Sequence, residues 1–379
     1  MVRWVFGVVL IACLSLVVTA QENVLVDTET DTEYVVEQFT VANFPVGMVF
    51  TPDGRLFYNE KTTGNVRVIT ADGETQLEPV INLDTSALQE RGMLGIALSP
   101  QWEDDNTLYV VHTLNSDGRN FPTNRLVRFE VGEDNIAIED SLEELLSLPI
   151  ESGFLIHNGG NVHFDDEGYL FLSVGDYGVP ANSQDLETPQ GAIHRFELTD
   201  DGLGIPDDNP FEGNSIYSYG FRNPFDFTID PLSEHLFVAD VGPSCDDEIN
   251  ASEAGDNHGW DDNYDCLGTD GKPSDIDGYI PPMLSYGAPV IAPTGIVVYD
   301  GDAFPEWQGD LFFCNWSFGN LRRVELDETR TEAIAVHDID LGGETCKLDL
   351  VIAPDGSLYF GTLGSGDSRI IRLRPPTDN

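Results

Sequence analysis

Positive charge is what this sequence has least of. Eighteen lysines and arginines stand against 67 aspartates and glutamates, a formal net charge of −49, and lysine occurs only at Lys61, Lys272 and Lys347. Holding a nucleic-acid backbone needs clustered cations, so the composition argues against nucleic acid as a partner. The acids are scattered among apolar stretches rather than gathered in a tail, which points to a folded chain with a strongly solvated surface suited to salty surroundings. Some of these carboxylates are also suited to calcium. Cysteine is nearly as scarce, with five residues, no Cys-x-x-Cys pair and no clustered histidines, and this removes zinc and dithiol redox chemistry from consideration. Helical periodicity is almost missing, and only DSLEELLSL, residues 140–148, reads as a short helix.

One long apolar run exists. It follows Arg3, fills residues 4–18 and ends in Val18-Thr19-Ala20, the small residues that signal peptidase accepts. Residues 1–20 therefore read as a secretory signal, the protein as secreted or periplasmic, and the mature chain as lacking a stable membrane span. Leu10-Ile11-Ala12-Cys13 resembles a lipoprotein cleavage box, but the apolar run continues past Cys13, where a lipoprotein turns polar. Residues 21–35 read as a flexible lead-in, and residues 36–379 as a single domain. Export leaves Cys245, Cys266, Cys314 and Cys346, an even number in a compartment that permits disulfides. Of the three connectivities, Cys245 with Cys266 and Cys314 with Cys346 close the shortest loops, and spacing alone does not choose among them.

A turn followed by leucine, usually an aromatic, and further β-formers recurs six times, in TPDGRLFYNE, DDNTLYVVHT, DDEGYLFLSVGD, DPLSEHLFVADVG, EWQGDLFFCNW and APDGSLYFGT. The leucines, Leu56, Leu108, Leu170, Leu236, Leu311 and Leu358, are separated by roughly fifty to seventy-five residues, a spacing suited to propeller blades of four short strands. Runs such as VRVIT, RLVRFEV, GAIHRFEL, LRRVELD and RIIRLRP supply outer strands, and 37 glycines and 22 prolines supply turns. The expected fold is all-β, a six-bladed β-propeller of four-stranded antiparallel blades. Its loops at one end of the central channel form the site, so residues that end the recurring strands, Glu60, Asp176, Gly242, Pro243 and Asn315, are expected to approach one another.

In order along the chain, FPVGMVFTPDGRLF, ERGMLGIALSPQW, HNGGNVHFDDEGYLFLSVGD, SYGFRNPFDFTIDP, VGPSCDDEINASEAGDNHGW, APTGIVVYDGDAFPEWQGDLF and DLVIAPDGSLYF resemble the glucose/sorbosone dehydrogenase family, soluble sugar dehydrogenases that use pyrroloquinoline quinone (PQQ). The resemblance implies a small-molecule sugar as substrate, PQQ and Ca2+ as cofactors, and an electron acceptor that the sequence does not name. It places His157 as the base that takes the sugar hydroxyl proton, Asp176 as the carboxylate orienting it, and Arg222 as the cation facing the reduced quinone, with Asn223 beside it. It places the carbonyls of Gly242 and Pro243 at the active-site calcium. Asp246, Asp247 and Glu248, with the carbonyl of His258, resemble a second calcium site.

The sequence also departs from the family. Glu90 and Arg91 replace a glutamine and a glycine, Ser317 replaces a lysine, Cys346 and Leu348 replace two arginines, and Ala288 and Val290 replace a tryptophan and a threonine. A tricarboxylate loses charge-assisted contacts by these changes, and Arg91, Lys347 and Trp316 are the expected compensations. Two other classes therefore remain open: a calcium-dependent, lactonase-like propeller hydrolase, and a non-catalytic propeller that binds carbohydrate or protein.

Overall fold

The computed structural model describes residues 22–115, 122–151, 153–262, 276, 278–364 and 368–377. Six antiparallel sheets, four of them four-stranded and two five-stranded, form the blades of a β-propeller. Blade 1 runs outward through Pro45–Phe50, Leu56–Glu60, Asn65–Ile69 and Ile81–Asn82, and blade 2 through Met93–Leu98, Thr107–Leu114, Thr123–Glu130 and Glu143–Pro149. Blade 3 runs through Gly159–Phe164, Leu170–Val174 and Ala192–Thr199, the last pairing with both Gly202–Gly204 and Ile216–Tyr219. Blade 4 contains Pro224–Ile229, Leu236–Asp240, Asp247–Ser252 and Leu284–Tyr286, and blade 5 Pro293–Val298, Leu311–Asn315, Leu321–Leu326 and Ala333–Ile339. Blade 6 starts with Leu350–Ile352, Leu358–Leu363 and Ser368–Arg374 and is completed by Thr32–Val41 and Val24–Asp27. Innermost strands touch in cyclic order, blade 6 meeting blade 1.

The recurring leucine strand is the second strand of every blade, and its sequence follows from having a neighbour on each side. Side chains alternate between the two faces of a strand. Leu56 packs against blade 6 and Phe57 against blade 2; Leu236 packs against blade 3 and Phe237 against blade 5. The same holds for Leu108 and Tyr109, Leu170 and Phe171, Leu311 and Phe312, and Leu358 and Tyr359. Leucine faces the preceding blade and the aromatic ring the following one, so the strand reads as a continuous apolar run. One apolar cluster fills each of the six blade interfaces.

Two expectations are corrected. Residues 140–148 are not helical: Glu143–Pro149 is the outer strand of blade 2, where Leu145, Leu146 and Leu148 pack towards blade 3. Tertiary packing overrides a weak local preference for helix there. The segment read as a flexible lead-in instead supplies the outer strands of blade 6, Val35 lying opposite Arg374. Asp27 accepts from the indole of Trp307 at 3.0 Å and pairs with the buried Arg323 at 3.2 Å, which ties the segment to blade 5 as well.

Cys314 and Cys346 form a disulfide, joining the end of a blade 5 strand to the loop before blade 6. The expected signal segment, Cys13, Lys272 and Cys266, the expected partner of Cys245, lie outside the described residues. No helix among the described residues is long and apolar enough to cross a membrane.

Candidate active site

Loops entering the innermost strands converge at one end of the channel. Several do so through non-glycine residues in the left-handed region: Phe44 at φ 51°, Gln89 at 54°, His157 at 57° and Ala292 at 49°. Each such residue costs about 1–3 kcal/mol, and such strain gathers where function requires it. Between these loops lies a cavity of about 410 Å³, whose wall includes Phe44, Lys61, Glu90, Asn223, Trp316 and Leu348.

His157 borders this cavity through its neighbours Asn158 and Gly159. Its Nδ1 lies 2.6 Å from Oδ1 of the buried Asp176. Asp176 also accepts from the backbone N–H of Gly178 at 2.6 Å, and its Oδ2 from the indole N–H of Trp260 at 2.8 Å. A carboxylate so held is an acceptor, which assigns the imidazole proton to Nδ1 and leaves Nε2 basic. The backbone is fixed as firmly, since the His157 N–H donates to Glu90 Oε2 at 2.5 Å. Glu90 is thus a wall residue and a brace for the histidine.

Arg222 joins the same group. Its backbone carbonyl accepts from the Asp176 N–H at 2.9 Å, and its guanidinium lies 5.5 Å from the centre of the Trp260 ring. Burial draws the guanidinium below its ordinary pKa, and Asp240, Asp176, Glu90 and Asp247 act against that shift. Asn223 lines the cavity, accepts from the Gly159 N–H at 3.1 Å and donates its own N–H to Asp240 at 2.7 Å.

Two of the expected calcium donors, the Gly242 carbonyl and Asp247, already have partners within the protein. Arg222 Nη1 donates to the carbonyls of Val241 and Gly242 at 2.8 and 2.7 Å, so a guanidinium occupies the side of Gly242 where a cation was expected. Asp247 accepts from the N–H groups of Gly242, Ile291 and Ala292, which makes it a loop brace. Glu248 and His258 are buried and Pro243 is partly exposed, but among the described residues no three His, Cys, Asp or Glu side chains gather around a metal position. Convergence of strand ends is likewise shifted. Glu60 accepts from Thr63 and Asn65, and Asn315 from the Phe318 and Gly319 N–H groups. The residues one step further, Lys61 and Trp316, line the cavity.

The model of the Glucose / Sorbosone dehydrogenase family matches residues 42–372. The chain belongs to this family. Aldose sugar dehydrogenase YliI of Escherichia coli is 30% identical over 282 residues, which cover 71% of this chain and 74% of that protein. Quinoprotein glucose dehydrogenase B of Acinetobacter calcoaceticus is 24% identical over 404 residues, 84% of this chain and 82% of that protein. The solved PQQ-bound form of aldose sugar dehydrogenase from Streptomyces coelicolor is 26% identical, with a TM-score of 0.74 over 90% of this chain and 98% of that one.

At several positions where the sequence departs from the glucose/sorbosone dehydrogenase pattern, the structure shows what the new residue does. Cys346 is in the disulfide and Leu348 presents an apolar wall. Arg91, an expected compensation, donates to the Phe154 carbonyl and is not among the residues lining the cavity. Lys347 lies between the disulfide and Leu348, its Nζ donating to the carbonyl of the cavity residue Trp316 at 2.9 Å. Lys61 is the cation that motif reading missed, and its signal was its position as one of three lysines directly after a recurring strand.

Proposed function

We propose that this protein is an exported aldose dehydrogenase that uses PQQ. The observation that carries the reading is the oriented pair His157 and Asp176 at the edge of a cavity that Asn223 lines and that Arg222 approaches through Val241. A flat tricarboxylate suits the residues present: the cavity is large enough for a ligand of that size, and Phe44 and Trp316 offer ring faces. Arg222, Lys61 and Lys347 would hold it electrostatically. Of the two carbonyls expected at calcium, those of Gly242 and Pro243, that of Gly242 already accepts from Arg222, and no step is routed through the metal.

PQQ, when bound, would supply the hydride acceptor for the sugar carbon. His157 Nε2 takes the hydroxyl proton as that hydride leaves, and the carbonyl product forms. Asp176 stabilises the resulting imidazolium and keeps the ring aimed. Arg222, whose Nη1 donates to the carbonyl of the cavity residue Val241, would add positive charge on that side of the site. The disulfide and the amino-terminal apolar run support an exported enzyme.

Purified protein loaded with PQQ, with and without calcium, should oxidise at least one member of an aldose panel with an artificial electron acceptor. His157→Gln should lower kcat by roughly 10²-fold or more with the fold intact. No turnover on any aldose, or unchanged turnover in that variant, overturns the reading. One observation favours a binding propeller without catalysis: the wall formed by Leu348 and Trp316 lacks the family's arginines and lysine. Sugar binding without turnover would establish that alternative.

A further inference from the structure

We infer that Phe44, Trp316, Lys61 and Lys347 form a single grip for a flat polyanionic ring system, taking over the role of the cations that this chain lacks. The inference rests on the proposed cofactor class and names the residues that bind it. Phe44 enters blade 1 and Trp316 leaves the second strand of blade 5, yet their rings lie nearly parallel, 20° apart with centroids 6.3 Å from each other, and both residues line the cavity. Trp316 is 45% exposed, which leaves much of its indole open to a ligand. Each ring has an ammonium group beside it. Lys61 Nζ lies 5.4 Å from the centre of Phe44, and Lys347 Nζ lies 6.0 Å from that of Trp316.

Lys61 is the stronger indication. It is buried, and two of its three N–H donors reach the carbonyls of Gln89 and Arg91, at 2.5 and 2.8 Å. Among the described residues no carboxylate stands within ion-pairing distance of it, although the chain carries 67 acids. Glu90, which acts on it through space, has Oε2 committed to the His157 N–H. A buried ammonium without a carboxylate is costly, and it is tolerated where an anionic ligand completes it. A ligand stacked on the open face of either ring would bring an edge carboxylate towards the ammonium group beside that ring, while Glu90 in the same wall disfavours a carboxylate on its own side. Planar stacking and edge charge together select a fused, polycarboxylated aromatic over a neutral sugar, which assigns this wall to the cofactor and leaves the His157 side to the substrate.

The test is titration of wild type, Lys61→Gln, Lys61→Arg, Lys347→Gln, Phe44→Leu and Trp316→Leu with PQQ and separately with benzene-1,3,5-tricarboxylate, a flat trianion without redox chemistry. Calorimetry and tryptophan emission read binding, and circular dichroism confirms folding. Both probes should bind wild type and quench its emission, with most of the quenching lost in Trp316→Leu. Lys61→Gln and Lys347→Gln should each raise Kd roughly tenfold or more and flatten its salt dependence, and Lys61→Arg should restore binding. Lys347→Gln leaves the loop at residues 89–91 untouched, so an effect there is not a folding defect. PQQ bound equally by wild type and all folded variants overturns the grip while leaving the proposed function standing. Tricarboxylate binding that follows these residues, without PQQ-supported turnover, upholds the grip and overturns the function. No binding of either probe overturns both.

Discussion

Asp176 shows how far one residue's surroundings were readable. The HNGG and SVGD stretches marked His157 and Asp176, whereas the indole of Trp260, which holds the second carboxylate oxygen, comes from 84 residues further along, and the stretch that carries it gave no sign of that partner. Gly175 has a similar hidden reason. A Cβ there would lie 2.1 Å from the His157 carbonyl oxygen and 3.2 Å from Asn223 Oδ1, so the glycine lets three parts of the site approach. Gly175→Ala must displace the backbone of the base and the side chain of Asn223. Turnover should fall by roughly 10²-fold, since a displacement of about 1 Å has that effect on oriented chemistry. A kcat within twofold of wild type, at an unchanged melting temperature, would show that the close approach is not needed. Lys61 escaped motif reading because it lies in the turn just past the recurring strand Leu56–Glu60, outside the quoted repeat.

At the scale of strands, the turn-leucine-aromatic repeat was legible because both faces of the second strand are buried, which writes a dense apolar run. Outer strands carry no such mark. Glu143–Pro149 has one face towards solvent and one towards blade 3, and its leucines at 145, 146 and 148 fit helix or strand equally. The alternating assignment of the second strands has a thermodynamic consequence. Leu236 and Phe237 are neighbours in sequence but belong to separate clusters, whereas Phe237 and Leu311 share the cluster between blades 4 and 5. Leu236→Ala should destabilise by about 2–5 kcal/mol and Phe237→Ala by about 3–5 kcal/mol. The Leu236→Ala/Phe237→Ala pair should add to within about 0.5 kcal/mol, while Phe237→Ala/Leu311→Ala should depart from additivity by about 0.5 kcal/mol or more. Denaturant unfolding of the single and double variants measures both cycles, and the reverse ranking would mean that adjacent clusters are not separate.

For the whole molecule, the amino-terminal strands that close blade 6 were read as loose because they carry no copy of the repeat; what orders them is pairing with Ser368–Arg374 and burial of Tyr34 beside Trp307. Global charge was legible at once, and it combines with burial in a way that sequence alone does not give. A net charge of −49 repels itself, so raising salt from about 0.01 M to about 1 M, which shortens the screening length from about 30 Å to about 3 Å, should raise the melting temperature at neutral pH. A different response follows on acidification. Burial lowers His112 and His194 to about 4, with Arg125 adding to the effect on His112; His194 sits between the Pro189 carbonyl at 2.7 Å and the Ser215 hydroxyl at 2.9 Å. In the unfolded chain both take up protons near pH 6.5, so the stability that they provide as neutral groups is complete above that value and is lost as pH falls towards 4. For the fully enclosed His194 the loss is on the order of 3 kcal/mol. High salt screens surface repulsion but does not reach an enclosed imidazole, so melting temperatures recorded between pH 7 and 4 in about 1 M salt should still fall. His194→Gln, less stable at pH 7, should show a shallower fall over that window. A wild-type curve that is flat in high salt, or one of equal slope in the variant, would place the acid sensitivity in surface carboxylates instead.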